Sequence, residues 1–331
     1  METPLQSDDG LKYRKRKPIN ELKPNEQVKD IFVVRFKKPV EKTKTNKYYF
    51  TLKIQDAFGD MMLKYWGSED QNKVEEVFNS IQNDDVVLVE GMVNEFNGKL
   101  DLSVNDGKLK VLKPEEYEIK DFIRVSDKNP EEMFAELKKH VESVQNLELK
   151  QILDAFFNDS EFVEKFKKSP AAMQKHHNWV CGLMEHTLNL INICLDISKY
   201  HELDNDLLIT GAILHDIGKL EEFETTTQIK VTDKGNLLGH ITIGIQNLTR
   251  KLDRTNISEE TKNKVVHMLI SHHGKLEYGS PKIPSFPEAL ILSKVDELDA
   301  FIAQMIDRRK NANTQDSFIY DRDFQTNIYL K

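Results

Sequence analysis

The sequence predicts a two-domain protein, an all-β N-terminal part joined to an all-α remainder. Up to about Leu112 the apolar residues come in short, partly alternating runs rich in β-branched and aromatic side chains. Beyond Pro130 they recur every three or four positions, the period of a helix. Nine of the ten histidines lie between His176 and His273, so metal or acid–base chemistry is expected in the helical half. The chain's 331 residues are enough for two cores, and 39% hydrophobic with 31% charged residues is a globular composition.

The β part is read from five segments: "KDIFVVRF", "YYFTLKIQD", "GDMMLKYWG", "DDVVLVEGMV" and "KLDLSVN". Turn signals separate them at Phe58-Gly59-Asp60, Asn83-Asp84-Asp85 and Asn97-Gly98, the last a strong hairpin signal. A helix-like insert, "SEDQNKVEEVFNSI", falls between the third and fourth. Five strands with a helix after the third is the plan of an OB-fold barrel, which often binds oligonucleotides. Alternation along "YYFTLKIQD" puts Phe50, Leu52 and Ile54 in the core and Tyr49, Thr51 and Lys53 outside; Lys64 and Trp66 share a face on the next strand. Exposed aromatics beside lysines suit base stacking and phosphate contact, so Tyr49, Lys53, Lys64 and Trp66 are candidate strand contacts, against the alternative that the aromatics fill the barrel.

The domains follow: a basic tail over 1–18, the barrel over 19–113, a linker over 114–130, the helical domain over 131–310 and a C-terminal tail over 311–331. Asn129-Pro130 opens the first helix, with Met133, Phe134, Leu137, Val141 and Val144 on one face. Further helices are expected at 147–157, 162–166, 183–200, 207–217, 237–252, 258–271 and 287–309. The net charge of -8 argues against indiscriminate polyanion coating, yet "KYRKRK" and "RFKKPVEKTKTNK" are basic enough either to meet phosphates or to be a solvated tail and loop. No run approaches the roughly 20 apolar residues of a membrane helix. With no apolar leader and only Cys181 and Cys194, a cytoplasmic setting is expected.

Within the helical half, polar residues recur at inward-facing positions. His186 lies between Leu183 and Leu190, His215 seven residues after Leu208, and His240 at the start of an apolar helix. His272-His273 closes another helix before Gly274, and Asp296 follows Leu292 by four, with Asp299 competing for the same face. Any one such histidine is ordinarily a hydrogen-bonded core residue. Five histidines and two aspartates buried together would cost many kcal/mol unpaired, and divalent cations would remove that cost.

The order His186, His215-Asp216, Asp296 resembles the metal-binding signature of the HD superfamily of phosphohydrolases, and the added His240 and His272-His273 resemble its two-metal subset. The segments "HHNWVCGLMEHT", "ILHDIGKLEEF", "GNLLGH", "SHHGKLEYGSP" and "PEALILSKVDELDAF" together are similar to the YhaM-type 3′→5′ exoribonucleases. That family also places an OB-fold ahead of its HD domain, so the resemblance covers nearly the whole chain. One departure is Cys181, which stands where a second glycine is expected.

The resemblance implies that His186, His215, Asp216 and Asp296 hold one metal. Asp216 then bridges to a second held by His240, His272 and His273; at a helix end the turn relaxes enough for adjacent His215 and Asp216 to converge. It further implies that two ions clamp a phosphodiester and generate a metal-bound hydroxide, with Asp216 catalytic through the metals. Lys219 is the candidate for charge on the phosphoryl oxygens, although a lysine beyond a helix C-terminus is favoured by the dipole alone. His176 and His177 are candidate substrate contacts or caps. The cofactor is a divalent metal, Mn favoured by the resemblance, with Fe, Co, Ni, Zn or Mg allowed. The implied activity is 3′→5′ exonucleolytic hydrolysis of single-stranded RNA, DNA being a second substrate class, with the barrel guiding the strand. Rival readings are an HD nucleotidase or cyclic-dinucleotide phosphodiesterase, and an inactive nucleic-acid-binding protein. No membrane partner is expected, and a homo-oligomer is allowed.

Overall fold

The computed structural model describes residues 12–96, 98–173, 179–253, 255–312, 314 and 316–331. His176 and His177 lie outside the described residues, as does Asn97 of the expected hairpin turn. The described chain falls into two compact units. One reaches to Arg124 and takes in Thr226–Gln228; the other holds Val125–Thr225 and Ile229–Lys331.

The first unit is a closed barrel. Strands β1 (Gln27–Lys42), β2 (Tyr48–Gln55), β3 (Asp60–Trp66), β4 (Val86–Phe96) and β5 (Lys99–Leu112) pair in the order β1-β2-β3-β5-β4, and β4 returns to β1. Only β3 and β5 run parallel, and α1 (Gln71–Ser80) sits between β3 and β4 in the chain, so the OB-fold plan holds. Phe50, Leu52 and Ile54 are fully buried with Leu63, Tyr65 and Leu102, while Tyr49, Thr51 and Lys53 lie on the outer face. The first part of the lysine-rich segment is strand, since β1 continues to Lys42, irregular near Pro39, whose missing N–H suits such a break in the ladder; its remainder turns into β2. Lys37 in it donates to the carbonyls of Phe78 and Ile81 at the end of α1, at 2.8 and 2.6 Å.

The "KYRKRK" cluster spends its charge inside this unit. Lys12 pairs with Glu118 at 2.6 Å, Arg14 with Asp121 through two bonds of 2.8 and 2.9 Å, and Lys17 with Glu26 at 2.8 Å. Lys15 is nearly buried, 2.7 Å from Asp30 and over the ring of Phe32. The segment after β5 packs likewise, with Phe122 buried among Ile31, Val33, Val86 and Leu112.

The second unit is helical: α2 (Pro130–Ser143), α3 (Leu147–Phe157), α4 (Ser160–Lys168), α5 (Gly182–Ser198), α6 (Asn205–Leu214), α7 (Lys219–Glu222), α8 (Asp233–Leu252), α9 (Glu259–Ser271) and α10 (Pro287–Asn311). One hairpin interrupts the expected helical domain, β6 (Phe223–Thr225) with β7 (Ile229–Val231), and a second, β8 (Phe318–Asp321) with β9 (Thr326–Tyr329), lies in the C-terminal tail. The helices share one core, and every residue of α6 from Leu207 to Leu214 is buried, as its unbroken apolar run requires. Among the described residues no helix is long and apolar enough to cross a membrane.

Candidate metal centre

Five helices of the second unit aim polar side chains at one point. His186 projects from α5 and Asp296 from α10. His215 and His272 are the C-cap residues of α6 and α9, each followed by a second polar residue, Asp216 and His273. His240 begins the second half of α8, where Gly239 (φ 68°, ψ 157°) breaks the helix. Gly274, at φ 77°, ends the turn after His273 in the left-handed conformation that glycine adopts without a Cβ clash.

Each of the five imidazoles engages an oxygen through Nδ1. His215 meets the Ala212 carbonyl at 2.8 Å, His272 that of Leu269 at 2.7 Å and His273 that of Tyr278 at 2.8 Å. His186 meets the Asp299 carboxylate at 2.7 Å, and His240 that of Glu222 at 3.2 Å. A carbonyl can only accept, so in His215, His272 and His273 Nδ1 carries the proton and the Nε2 lone pair points inward. The bonds of His215 and His272 also satisfy carbonyls that a helix C-terminus leaves unpaired. In these residues Nδ1 caps the helix while the opposite nitrogen, Nε2, is turned inward.

The inward atoms form two groups, His186 with His215 and Asp216, and His240 with His272 and His273; within each, the ligating atoms lie within 4.8 Å of one another. The first group is buried throughout, whereas His240 and His273 are partly exposed, which leaves the second group on the accessible side. Asp216, a member of the first group, also approaches the second. Its Oδ2 is 3.1 Å from His215 Nε2, and its Oδ1 is 3.6 Å from Nε2 of His240 and of His272. Asp296 lies beside the first group, with Oδ1 3.1 Å from His186 Nε2.

The donor set fits divalent cations. Among the described residues His215 Nε2, Asp216 Oδ1 and His272 Nε2 are buried with no hydrogen-bond partner, an arrangement costing about 1–3 kcal/mol per group. His240 and His273 face each other through Nε2 at 3.2 Å, a contact that a cation or a shared proton satisfies. Burial holds His272 well below its ordinary pKa and His273 below it, keeping both neutral for ligation. Burial also pushes the two carboxyls up, but their neighbours win: the Lys219 ammonium holds Asp216 well below the usual range, and the hydrogen bond from His186 does so for Asp296. Burial disfavours the His186 imidazolium, yet bonds to Asp296 and Asp299 lift it to about 9.

Lys219 lies at this centre, with Nζ 2.5 Å from Asp216 Oδ2. Asp296, not Asp299, faces the ligand group; Asp299 stands behind His186 and also accepts from Asn189 at 3.0 Å. The sequence reading missed Asp299 and Glu222 as partners of the ligands. Asp299 carried a signal, being three residues from Asp296 just as Asn189 is three from His186; Glu222 carried none. On the barrel, Tyr49 and Trp66 are cross-strand partners on the outer face with ring centroids 5.2 Å apart. Lys64 and Lys53 share that face, paired with Asp101 at 2.8 Å and Asp60 at 3.2 Å.

Residues 183–300 match the HD domain family, and residues 33–118 match the OB-fold nucleic acid binding domain family. A 3′-5′ exoribonuclease YhaM from Bacillus subtilis is 34% identical over 263 residues, 79% of this chain and 81% of that protein. The chain belongs to the YhaM family of 3′-5′ exoribonucleases. The YhaM protein of Bacillus licheniformis is 33% identical over 267 residues, with the same shares covered. Among solved structures, the second OB-fold domain of replication protein A from Methanococcus maripaludis aligns at 20% identity and a TM-score of 0.24, over 29% of this chain and 94% of that one. The family assignment makes the chain an HD-domain hydrolase that depends on divalent metal.

Proposed function

We propose that the protein is a metal-dependent exoribonuclease that removes nucleotides from the 3′ end of single-stranded RNA, with two ions held by the histidine–aspartate centre. The observation that carries this is Asp216, a buried carboxylate of the first group whose Oδ1 lies 3.6 Å from Nε2 of both His240 and His272 in the second. His186, His215, Asp216 and Asp296 would hold one ion, and Asp216, His240, His272 and His273 the other. Divalent cations there would supply Lewis-acid polarisation of the phosphodiester and a lowered pKa for water. The partly exposed His240 and His273 border the side from which the scissile phosphate enters. Lys219, one hydrogen bond from the shared carboxylate, adds positive charge beside the phosphoryl oxygens. The Tyr49–Trp66 pair gives the RNA an aromatic surface on which bases stack.

The imidazole-rich ligand set suits Mn, Fe, Co, Ni or Zn, and Mn is the ion proposed, as the family resemblance favours. Cys181 and Cys194 are both buried free thiols, which supports a reducing, cytoplasmic setting. The test is incubation of metal-loaded protein with 5′-labelled single-stranded RNA, and DNA of the same sequence in parallel. A ladder shortening from the 3′ end is expected. Release of label only from free nucleotides would favour a nucleotidase, and no cleavage with any divalent metal would sink the proposal. Asp216→Ala is expected to abolish turnover, since it removes a ligand from both groups; full activity in that variant would refute the shared-carboxylate assignment.

A further inference from the structure

The five Nδ1 contacts fall into two kinds. Three imidazoles are held by main-chain carbonyls, those of Ala212, Leu269 and Tyr278, which the backbone itself fixes. The other two are held by carboxylates, and each ligand group has one of them: His186 by Asp299, and His240 by Glu222. We propose that Asp299 and Glu222 are positioning residues that set the two metal sites separately, Asp299 through His186 and Glu222 through His240. This rests on the two-metal reading above.

The two carboxylates are themselves constrained. Asp299, on α10, receives His186 on one oxygen and Asn189 on the other; both donors come from α5, three residues apart, so the pair clamps the carboxylate. Glu222 closes α7 and accepts both the ring nitrogen and the backbone N–H of His240, the latter at 3.0 Å. It therefore holds the ring together with the first turn of the half-helix that starts after Gly239. A carboxylate behind an imidazole fixes its tautomer and orientation and raises its basicity as a ligand, and losing such a partner costs about 10–100-fold in metal affinity. A main-chain carbonyl fixes the tautomer without adding a full charge. Each site thus has one histidine whose ligand strength depends on a side chain.

The experiment is Mn2+ titration of the metal-stripped full-length protein, with free ion followed by its EPR signal and bound ion counted per chain. Wild type is expected to take up two ions. Asp299→Ala should weaken one of them by about 10–100-fold and spare the other, and Glu222→Ala should weaken only the other. His273→Ala identifies the second site: in its background Glu222→Ala should add little further loss, whereas Asp299→Ala should add its full loss. Asp299→Asn and Glu222→Gln keep an acceptor oxygen and should recover part of the affinity at the same single ion; they also replace an alanine variant that fails to fold. Equal weakening of both ions by either alanine variant, no weakening by either, or no recovery with the amides would overturn the proposal. Wild type that takes up no Mn2+ would instead remove the metal reading on which it rests.

Discussion

Cys181 precedes the first ligand helix at φ 69°, a left-handed backbone that costs an L-residue about 1–2 kcal/mol and glycine nothing. The resemblance led to the expectation of glycine there, and the structure supplies the reason: the chain must turn sharply before Gly182 to start α5. Cys181 is also buried, so glycine would give up side-chain packing while relieving the backbone. Cys181→Gly is therefore expected to melt no lower than Cys181→Ala, although it removes one more carbon, because alanine keeps the strain and loses the thiol. Thermal denaturation of the two variants decides it; a clearly more stable alanine variant would mean the backbone cost is small here. The same scale explains Asp296 and Asp299. Their spacing put both on one face of a helix, and only the position of His186 on a facing helix determines which meets its Nε2 and which its Nδ1.

Among the elements, the turn between α6 and α7 has the least freedom. A Cβ on Gly218 would lie 1.8 Å from the His240 carbonyl oxygen and 2.7 Å from the Gly244 nitrogen, so the turn carrying His215 and Asp216 rests directly on the backbone of α8. Gly218→Ala must push these segments apart and draw Asp216 away from His240. We expect a loss of about 1–3 kcal/mol in stability, seen in denaturant melts, together with weaker Mn2+ binding. An unchanged melt would show that α8 shifts without cost. The long helices were legible because their apolar stripes run for several turns, and α3 spans the expected residues from Leu147 to Phe157. The short elements were not. A single turn such as α7, or strands of three and four residues as in β6–β7 and β8–β9, shows too few residues to establish a period.

At the level of the whole molecule, the candidate metal ligands belong to one compact unit and the aromatic outer face of the barrel to the other. If Trp66 stacks on a base, Trp66→Ala should weaken the binding of a long single-stranded RNA by about 1–3 kcal/mol, the worth of one stacked base. Hydrolysis of a dinucleotide, which offers the barrel little to stack, should suffer less. Equal losses on the two substrates would remove this face from RNA binding. Net charge gave little guidance at this scale: lysines and arginines that looked available for phosphate are matched to acids within the barrel unit, as Arg14 is to Asp121 and Lys15 to Asp30.

The sequence by itself determined the barrel, the helical remainder and the roster of histidines and aspartates at the centre. Those depend on residue type and on periods of two and 3.6, which are local properties of the chain. The tertiary structure decided which ring nitrogen faces inward, that Asp216 Oδ1 comes within 3.6 Å of both His240 and His272, and that Asp299 and Glu222 stand behind His186 and His240. These outcomes depend on partners brought together from distant segments; His186 and Asp299 are 113 residues apart in the chain and 2.7 Å apart in space. A buried polar group settles its role by which partner satisfies it, and that partner is known only once the helices have packed.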